Sequence, residues 1–382
     1  MGLSIYFFLF NLFLLNHSYT EKTLGLIASA MAAGGFTGAI PAGALARRFG
    51  LRSALLTAFL LAIALFSARA LLLALPIQLA LAFLAGITLS LWAVCISPTV
   101  AQMTTEQQRP FAFSLVFSLG IGVGALGGFL GGQLPGFLAR HPLLPFPVDP
   151  LRLVLLLSCA LVALGIWPLA RLSFTRPDLP QRARPSFLSP FLLRFLPAIA
   201  AWTLVTGSFS PFANVYFAQH LHMSLPQIGN AFSIAQLMQV AAVLTAPLLF
   251  RRWGLVNGIV FTQLAAATLL CVLAAVHSPL AATLGYMAFA AFQWMNEPGL
   301  YSLLMDRVSP EQREGAAASN SLVISAASAL AAMLAGASFA KFGYPASMFS
   351  IAAIAVIAAV LFRRLVGSRS PQPTLELNRI AD

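Results

Sequence analysis

Charge is what this sequence has least of. Of its 382 residues only 8% are charged, against 59% hydrophobic. A water-soluble domain carries about a quarter charged residues. There is too little charge here to coat a surface facing water, so lipid must be the solvent for most of the chain. Acid is scarcer still, with 10 Asp and Glu against 22 Lys and Arg. A net charge of +12 would suit nucleic acid if the basic residues shared one face of a soluble domain. They recur instead in short stretches between apolar runs, as the positive-inside rule requires, and no nucleic-acid partner is expected. Cysteine is rare too. Cys95, Cys159 and Cys271 each lie inside an apolar run and read as small buried hydrophobes, without metal-ligand spacing or a disulfide framework. No glycine loop followed by Lys and Ser or Thr is present, which argues against an ATP-driven pump. No His-Glu-x-x-His pair and no cluster of acids and histidines at one depth appears, so no metal, no cofactor and no enzyme chemistry are expected.

What the chain has in abundance is apolar runs. They predict helices over 1–16, 23–46, 53–74, 77–103, 111–136 and 151–170, then over 191–217, 227–250, 257–276, 280–305, 315–341 and 345–364. Twelve spans of about 20 residues with short loops use nearly all of the length. The longest polar interruption, 171–190, is rich in Arg and Pro and makes a poor helix and a good linker. It divides the chain into an N-terminal six-helix bundle (1–170) and a C-terminal one (191–364), with a polar tail at 365–382. The fold class expected is an all-α membrane protein of two six-helix repeats. Most Lys and Arg fall on the linker side, which places linker and both chain ends in the cytoplasm, with the chain in the inner (cytoplasmic) membrane. All five histidines fall on the other side and read as solvated loop residues. No small-residue cleavage pattern follows the first run, which therefore reads as a span and not a signal peptide.

The halves repeat each other. At an offset of 204 residues Gly25 falls on Gly229, Ser29 on Ser233, Arg47–Arg48 on Arg251–Arg252 and Gly50–Leu51 on Gly254–Leu255. Parallel six-helix repeats are a transporter architecture. The same offset leaves the first helix short. Its start should fall about 13 residues before Met1, and the expectation is that the chain begins inside helix 1; a short or tilted first helix is the alternative.

The segment Gly43-Ala-Leu-Ala-Arg-Arg-Phe-Gly50-Leu-Arg52 joins the second and third helices. It resembles the signature of the major facilitator superfamily, a Gly-x-Leu-x-Asp-Arg-x-Gly-Arg-Arg pattern, through Gly43, Leu45, Arg48, Gly50 and Arg52. Arg47 stands where that family has Asp, and Leu51 where it has a basic residue. In the family the acid helps to latch the halves, so the substitution bears on that latch. In helix 5, glycines recur at 120, 124, 128 and 132, clearing one face for a neighbouring backbone. Their equivalents in helix 11 are Ile324, Ser328, Ala332 and Gly336, and both helices are expected at the moving contact between halves. Gly127-Gly-Phe-Leu-Gly-Gly132 is similar to the family's antiporter motif, with Gly128 in place of its proline, and favours export; plain helix packing is the competing reading.

The resemblance implies a central cavity lined by helices 1, 4, 7 and 10. Candidate lining residues are Tyr6, Asn11, Trp92, Trp202, Thr206, Asn214, Tyr216, Gln293, Trp294 and Asn296. Against this, Ser and Thr commonly bond their own helix backbone. Aromatic and amide groups with one acid suit a small organic solute. That acid, Glu297, is alone inside a predicted span away from its ends, and it is the proton-coupling candidate, because burial disfavours the charged carboxylate and an intramembrane acid is usually functional. Arg69, near the end of helix 3, is expected to snorkel outward. The function expected is alternating-access secondary transport, proton-coupled and export-directed, with solute, protons and membrane lipids as partners. A non-cycling transporter-like receptor or assembly protein and an ion-independent uniporter are the alternatives.

Overall fold

The computed structural model describes residues 1–104, 109–141, 148–171, 189–308 and 312–367. The proposed linker and tail lie largely outside them, as do the side chain of Arg47 and most side chains of 109–118 at the near end of the glycine helix. The described residues form twelve helical arms: α1 (Gly2–Asn16), α2 (Glu21–Phe49), α3 (Leu51–Leu71), α4 (Leu75–Gln102), α5 (Arg109–Arg140) and α6 (Pro150–Arg171), then α7 (Leu192–His220), α8 (Leu225–Trp253), α9 (Leu255–Ala275) and α10 (Pro279–Arg307). The last two, α11 and α12, are the arms of Arg313–Gly367 on either side of Gly343. Among the described residues eight helical stretches are long and apolar enough to cross a membrane, the last of them, Gly315–Gly367, covering both α11 and α12, and Gly2–Asn16 is a shorter apolar helix. An even number of crossings brings Met1 and Gly367 to one end of the bundle, called here the near end.

Local chemistry repeats with the same offset. Gly50 (φ 83°) ends α2 and Gly254 (φ 76°) ends α8. Both adopt the left-handed region that a side chain disfavours, so each helix turns at once into its successor. At the far end Thr20 and Ser224, again 204 apart, open α2 and α8 with capping boxes closed by Thr23 and Gln227. Such boxes satisfy backbone donors that a helix leaves free. Gly343 (φ 76°) supplies the break between α11 and α12. With 15 residues, α1 spans about 22 Å, less than a hydrocarbon core of about 30 Å. It does not depend on lipid. Ile5, Leu9, Phe13 and Leu14 are buried, and α1 is enclosed by α5, α6 and α7.

The halves meet through α1 with α7, α2 with α11, and α5 with α8. The expectation that α5 and α11 sit at the contact between halves therefore takes a specific form: each crosses to the other half's second helix. Gly25 of α2 meets Gly336 of α11, and Gly132 of α5 meets Gly229 of α8. The two pairs map onto each other at the offset of 204, so one backbone-on-backbone contact occurs twice about a pseudo-two-fold axis. A Cβ added at Gly132 would stand 2.9 Å from the Gly229 Cα, which no rotamer relieves.

Along α5 the approach is graded. A Cβ at Gly132 meets backbone, and at Gly128 it meets the Ser233 Oγ at 3.1 Å and then backbone. At Gly124 the contacts are side-chain ends, of Gln236 and more distantly of Ser4, and at Gly120 no described atom lies within 4 Å. Helices α5 and α8 are pressed together at the far end and part toward the near end. Ser233 reinforces the closed end by donating to the Ala125 carbonyl across the interface, at 2.7 Å. The gradient sets an order of tolerance. Gly132→Leu should destabilise the purified protein by about 1–3 kcal/mol through overpacking, read as a lower thermal midpoint, and Gly120→Leu should leave that midpoint unchanged. Equal damage at the two positions would contradict the grading.

Candidate solute-binding site

Helix α7 is not a regular helix. It is α-helical over Leu192–Phe209, tightens to a 3-10 turn at Ser210–Phe212, and widens to a π-turn at Tyr216–His220. Pro211 is the cause, since it brings no N–H to the helical ladder. The disturbance is used at once. In a regular helix the Val215 N–H would bond the Pro211 carbonyl. Here it donates to the Asn214 Oδ1 at 2.9 Å, and the freed Pro211 carbonyl accepts from the Asn11 Nδ2 of α1 at 2.8 Å. In return the Asn214 Nδ2 donates to the Phe8 carbonyl of α1 at 2.7 Å. Each asparagine thus bonds a carbonyl that lies three residues before the other, a reciprocal exchange across the centre of the molecule.

Beneath this bridge, toward the near end, lies a cavity of about 370 Å³. Its walls come from both halves: Asn11 and three phenylalanines of α1, Met31 of α2 and Arg69 of α3 face Ser210 and Asn214 of α7 and Gln236 of α8. The lining is apolar with a few convergent polar groups, the usual make-up of a small-molecule site. Among the described residues no group of His, Cys, Asp and Glu is arranged to hold a metal ion.

The family model of the Major Facilitator Superfamily matches residues 1–206 and again 195–381, once for each half. The chain belongs to the major facilitator superfamily. No curated protein matches it in sequence. Solved structures of similar fold include a bacterial homologue of the human lysosomal transporter Spinster in an inward-facing, unoccupied conformation (15% identity, TM-score 0.74, 97% of each chain covered). They also include a variant of the nucleoside transporter NupG (14% identity, TM-score 0.73, 96% of this chain and 94% of that one). A D-xylose–proton symporter is similar at 16% identity, with a TM-score of 0.73 and the same coverage. The protein is a multi-pass membrane transporter and not an enzyme.

In this superfamily member the predicted residues separate into groups. Asn11 and Asn214 line the cavity and bridge the halves at once. Gln293 of α10 accepts from the cavity residue Ser210 at 3.0 Å, and Glu297 lies one turn nearer the chain ends on the same face. Tyr6 points away from the cavity: its hydroxyl donates to the Phe66 carbonyl inside the N-terminal half. Tyr216 does the equivalent in the other half, donating to the Leu273 carbonyl at 2.9 Å. Thr206 bonds the Thr203 carbonyl of its own helix. Trp202 is buried, with its indole N–H unpartnered. Trp92 and Trp294 are exposed, and none of these six residues lines the cavity. Asn296 is fully buried, with both amide atoms unpartnered among the described residues. In the near-end loop Arg52 donates to the Ala170 carbonyl at the end of α6, while Arg48 lies over the Phe49 ring and Gly43 is partly buried.

One cavity group escaped sequence reading: Gln236 carries no pattern that marks it, whereas Ser210 belongs to the polar set that helix 7 was expected to present. Arg69 carried a mark, a cation well inside an apolar run, but it was expected to reach outward; it is 2% exposed and turned into the protein. Phe10 and Gln78 offer it an inward seat.

The asparagine bridge can be weighed. An interhelical hydrogen bond in a membrane contributes about 0.6 kcal/mol on average, which is about a threefold change in an equilibrium. Asn11→Ala and Asn214→Ala should each raise far-side labelling of a cysteine at Ala28 by about threefold. The probe is a membrane-impermeant maleimide on a variant otherwise free of cysteine. Unchanged labelling in both would show that the bridge does not hold the far end shut.

Proposed function

We propose that this transporter moves a small organic solute across the cytoplasmic membrane by alternating access, coupled to protons and in the direction of export. The observation that carries the reading is the graded α5–α8 interface: these two helices, one from each half, are joined at one end and separate toward the other. With the arginine-rich loops facing the cytoplasm, the near end and both chain ends are cytoplasmic, and the described conformation is open inward. Residues 1–170 and 191–364 are then the two rocking bodies, 171–190 their tether and 365–382 a cytoplasmic tail. Rocking about the far-end contacts would close the near end and break the asparagine bridge, opening the cavity to the other side.

Proton coupling is assigned to Glu297. It lies on the same face of α10 as Gln293, which bonds the cavity residue Ser210, and Tyr301 follows four residues later, close enough for the phenol to feel its charge. The carboxyl makes no hydrogen bond among the described residues, so nothing holds its proton in place. Pro298 follows it inside the helix, removing a backbone donor where a gate would flex. The D-xylose–proton symporter is a precedent for proton coupling on this fold. Export rests on the antiporter-like run Gly127–Gly132, which lies at the contact between halves.

Glu297→Gln keeps the shape and removes the titration. The variant should fold and bind solute but lose its response to a proton gradient. Full gradient-driven transport by the variant from mildly acidic to mildly alkaline pH would remove Glu297 from the coupling site and favour an ion-independent uniporter. Topology is checked separately: reporter fusions at residues 180 and 145 should report opposite compartments, and matching reports would overturn the inward-open assignment.

A further inference from the structure

Arg69 is the one formally charged side chain on the wall of the central cavity. It is held there by a built seat. Its guanidinium lies over the Phe10 ring, 4.2 Å from the centroid, within the range of a cation–π contact. Its Nε donates to the Gln78 Oε1 at 3.3 Å. Gln78 is itself locked, because its amide donates at 2.6 Å both to the Arg69 carbonyl and to that of Leu72. The fork of the guanidinium is left over. Among the described residues the only partner of Nη1 is the Met31 sulfur at 3.9 Å, a weak acceptor, Nη2 has none, and no carboxylate faces the group; its ionisable neighbour is the Tyr6 phenol, whose hydroxyl is already donated to Phe66.

A buried cation with no counter-charge is costly, and proteins pair such groups or do without them. The seat on Phe10 and Gln78 offsets part of that cost and fixes the orientation. It does not supply the two acceptors that a guanidinium fork presents itself to, which is carboxylate geometry. The missing partner has to enter through the cavity. The rest of the wall describes the remainder of that partner: phenylalanine rings from α1 and α8 for an apolar body, and the amide of Gln236 and hydroxyl of Ser210 for a second polar contact.

We propose that the solute is an organic anion, an apolar body bearing a carboxylate, and that Arg69 is the group that binds its charge. This rests on the cavity being the transport site. It sharpens "small organic solute" to one charge class, and it gives Arg69 a role that the sequence did not.

The test uses the purified full chain, with phenylacetate as the probe, phenylacetamide as its neutral isostere and inorganic sulfate as the bare anion. Phenylacetate should raise the thermal midpoint of the parent protein, and phenylacetamide and sulfate should not. Arg69→Met should weaken phenylacetate binding about tenfold to a hundredfold, the loss expected for hydrogen bonds to a charged group. Arg69→Lys should retain part of it. A second readout needs no ligand. If the arginine is kept for an absent anion, Arg69→Met without probe should be at least as stable as the parent. A lower midpoint for that variant would make Arg69 a structural residue and overturn the proposal. An equal response to phenylacetate and phenylacetamide would overturn the charge class, and a response to sulfate as large as to phenylacetate would make this an inorganic-anion site. Arg69-dependent phenylacetate binding in a protein whose cavity never changes its side of access would leave the anion site standing and sink the transport reading.

Discussion

Everything functional in this molecule hangs on how closely two six-helix bodies touch at one end. Two glycine-on-glycine crossings, Gly25 with Gly336 and Gly132 with Gly229, bring backbones into van der Waals contact. Between them, on the same axis, Asn11 and Asn214 exchange hydrogen bonds with the carbonyls of Pro211 and Phe8. In lipid there is no hydrophobic drive to bring helices together, so packing of small residues and interhelical hydrogen bonds must do it. Both devices are weak singly and close-range, which suits a contact that has to form and break. Were the far end sealed by large apolar side chains, opening it would expose them to water.

The same constraint explains the irregularity of α7. A carbonyl can be offered across an interface only if the helix that owns it does not use it. Pro211 disturbs the ladder, Asn214 takes over the Val215 N–H, and the Pro211 carbonyl is released to Asn11. On α1 the matching acceptor is the Phe8 carbonyl. Both asparagines line the cavity, so under the proposed mechanism a solute touching Asn11 or Asn214 would compete with the bonds of this bridge.

Much of the fold was legible because membrane solvation writes it in a coarse alphabet. Apolar runs mark helices, Gly50 and Gly254 mark the turns, and the offset of 204 residues relates the halves. The glycine ridge at 124, 128 and 132 was readable as a close-contact face, but its partner was not. Spacing says that a backbone approaches, and only the assembled bundle says that α8 is the helix that does. The site was less legible for the same reason. Tyr6 and Tyr216 have the composition of cavity residues, yet each hydroxyl satisfies a carbonyl of its own half. Polar side chains in lipid take whichever acceptor is near, and the sequence does not show which that is. Arg69 was misjudged on direction: an arginine near a helix end can reach outward, and what turned it inward was an aromatic ring on α1 and an amide on α4, both distant from it in pattern if not in space.

The central claim is that the two bodies rock about the far-end contact, so that one end closes as the other opens. Distances between spin labels test it directly, with one pair at Leu119 and Leu244 toward the near end of α5 and α8 and a second pair at Phe137 and Asn230 toward the far end. The pairs should respond in opposite directions when Asn11 and Asn214 are both replaced by Ala, the near-end distance shortening and the far-end distance growing. Distances that move together, or a far-end distance that stays fixed while the near end closes, would contradict the account.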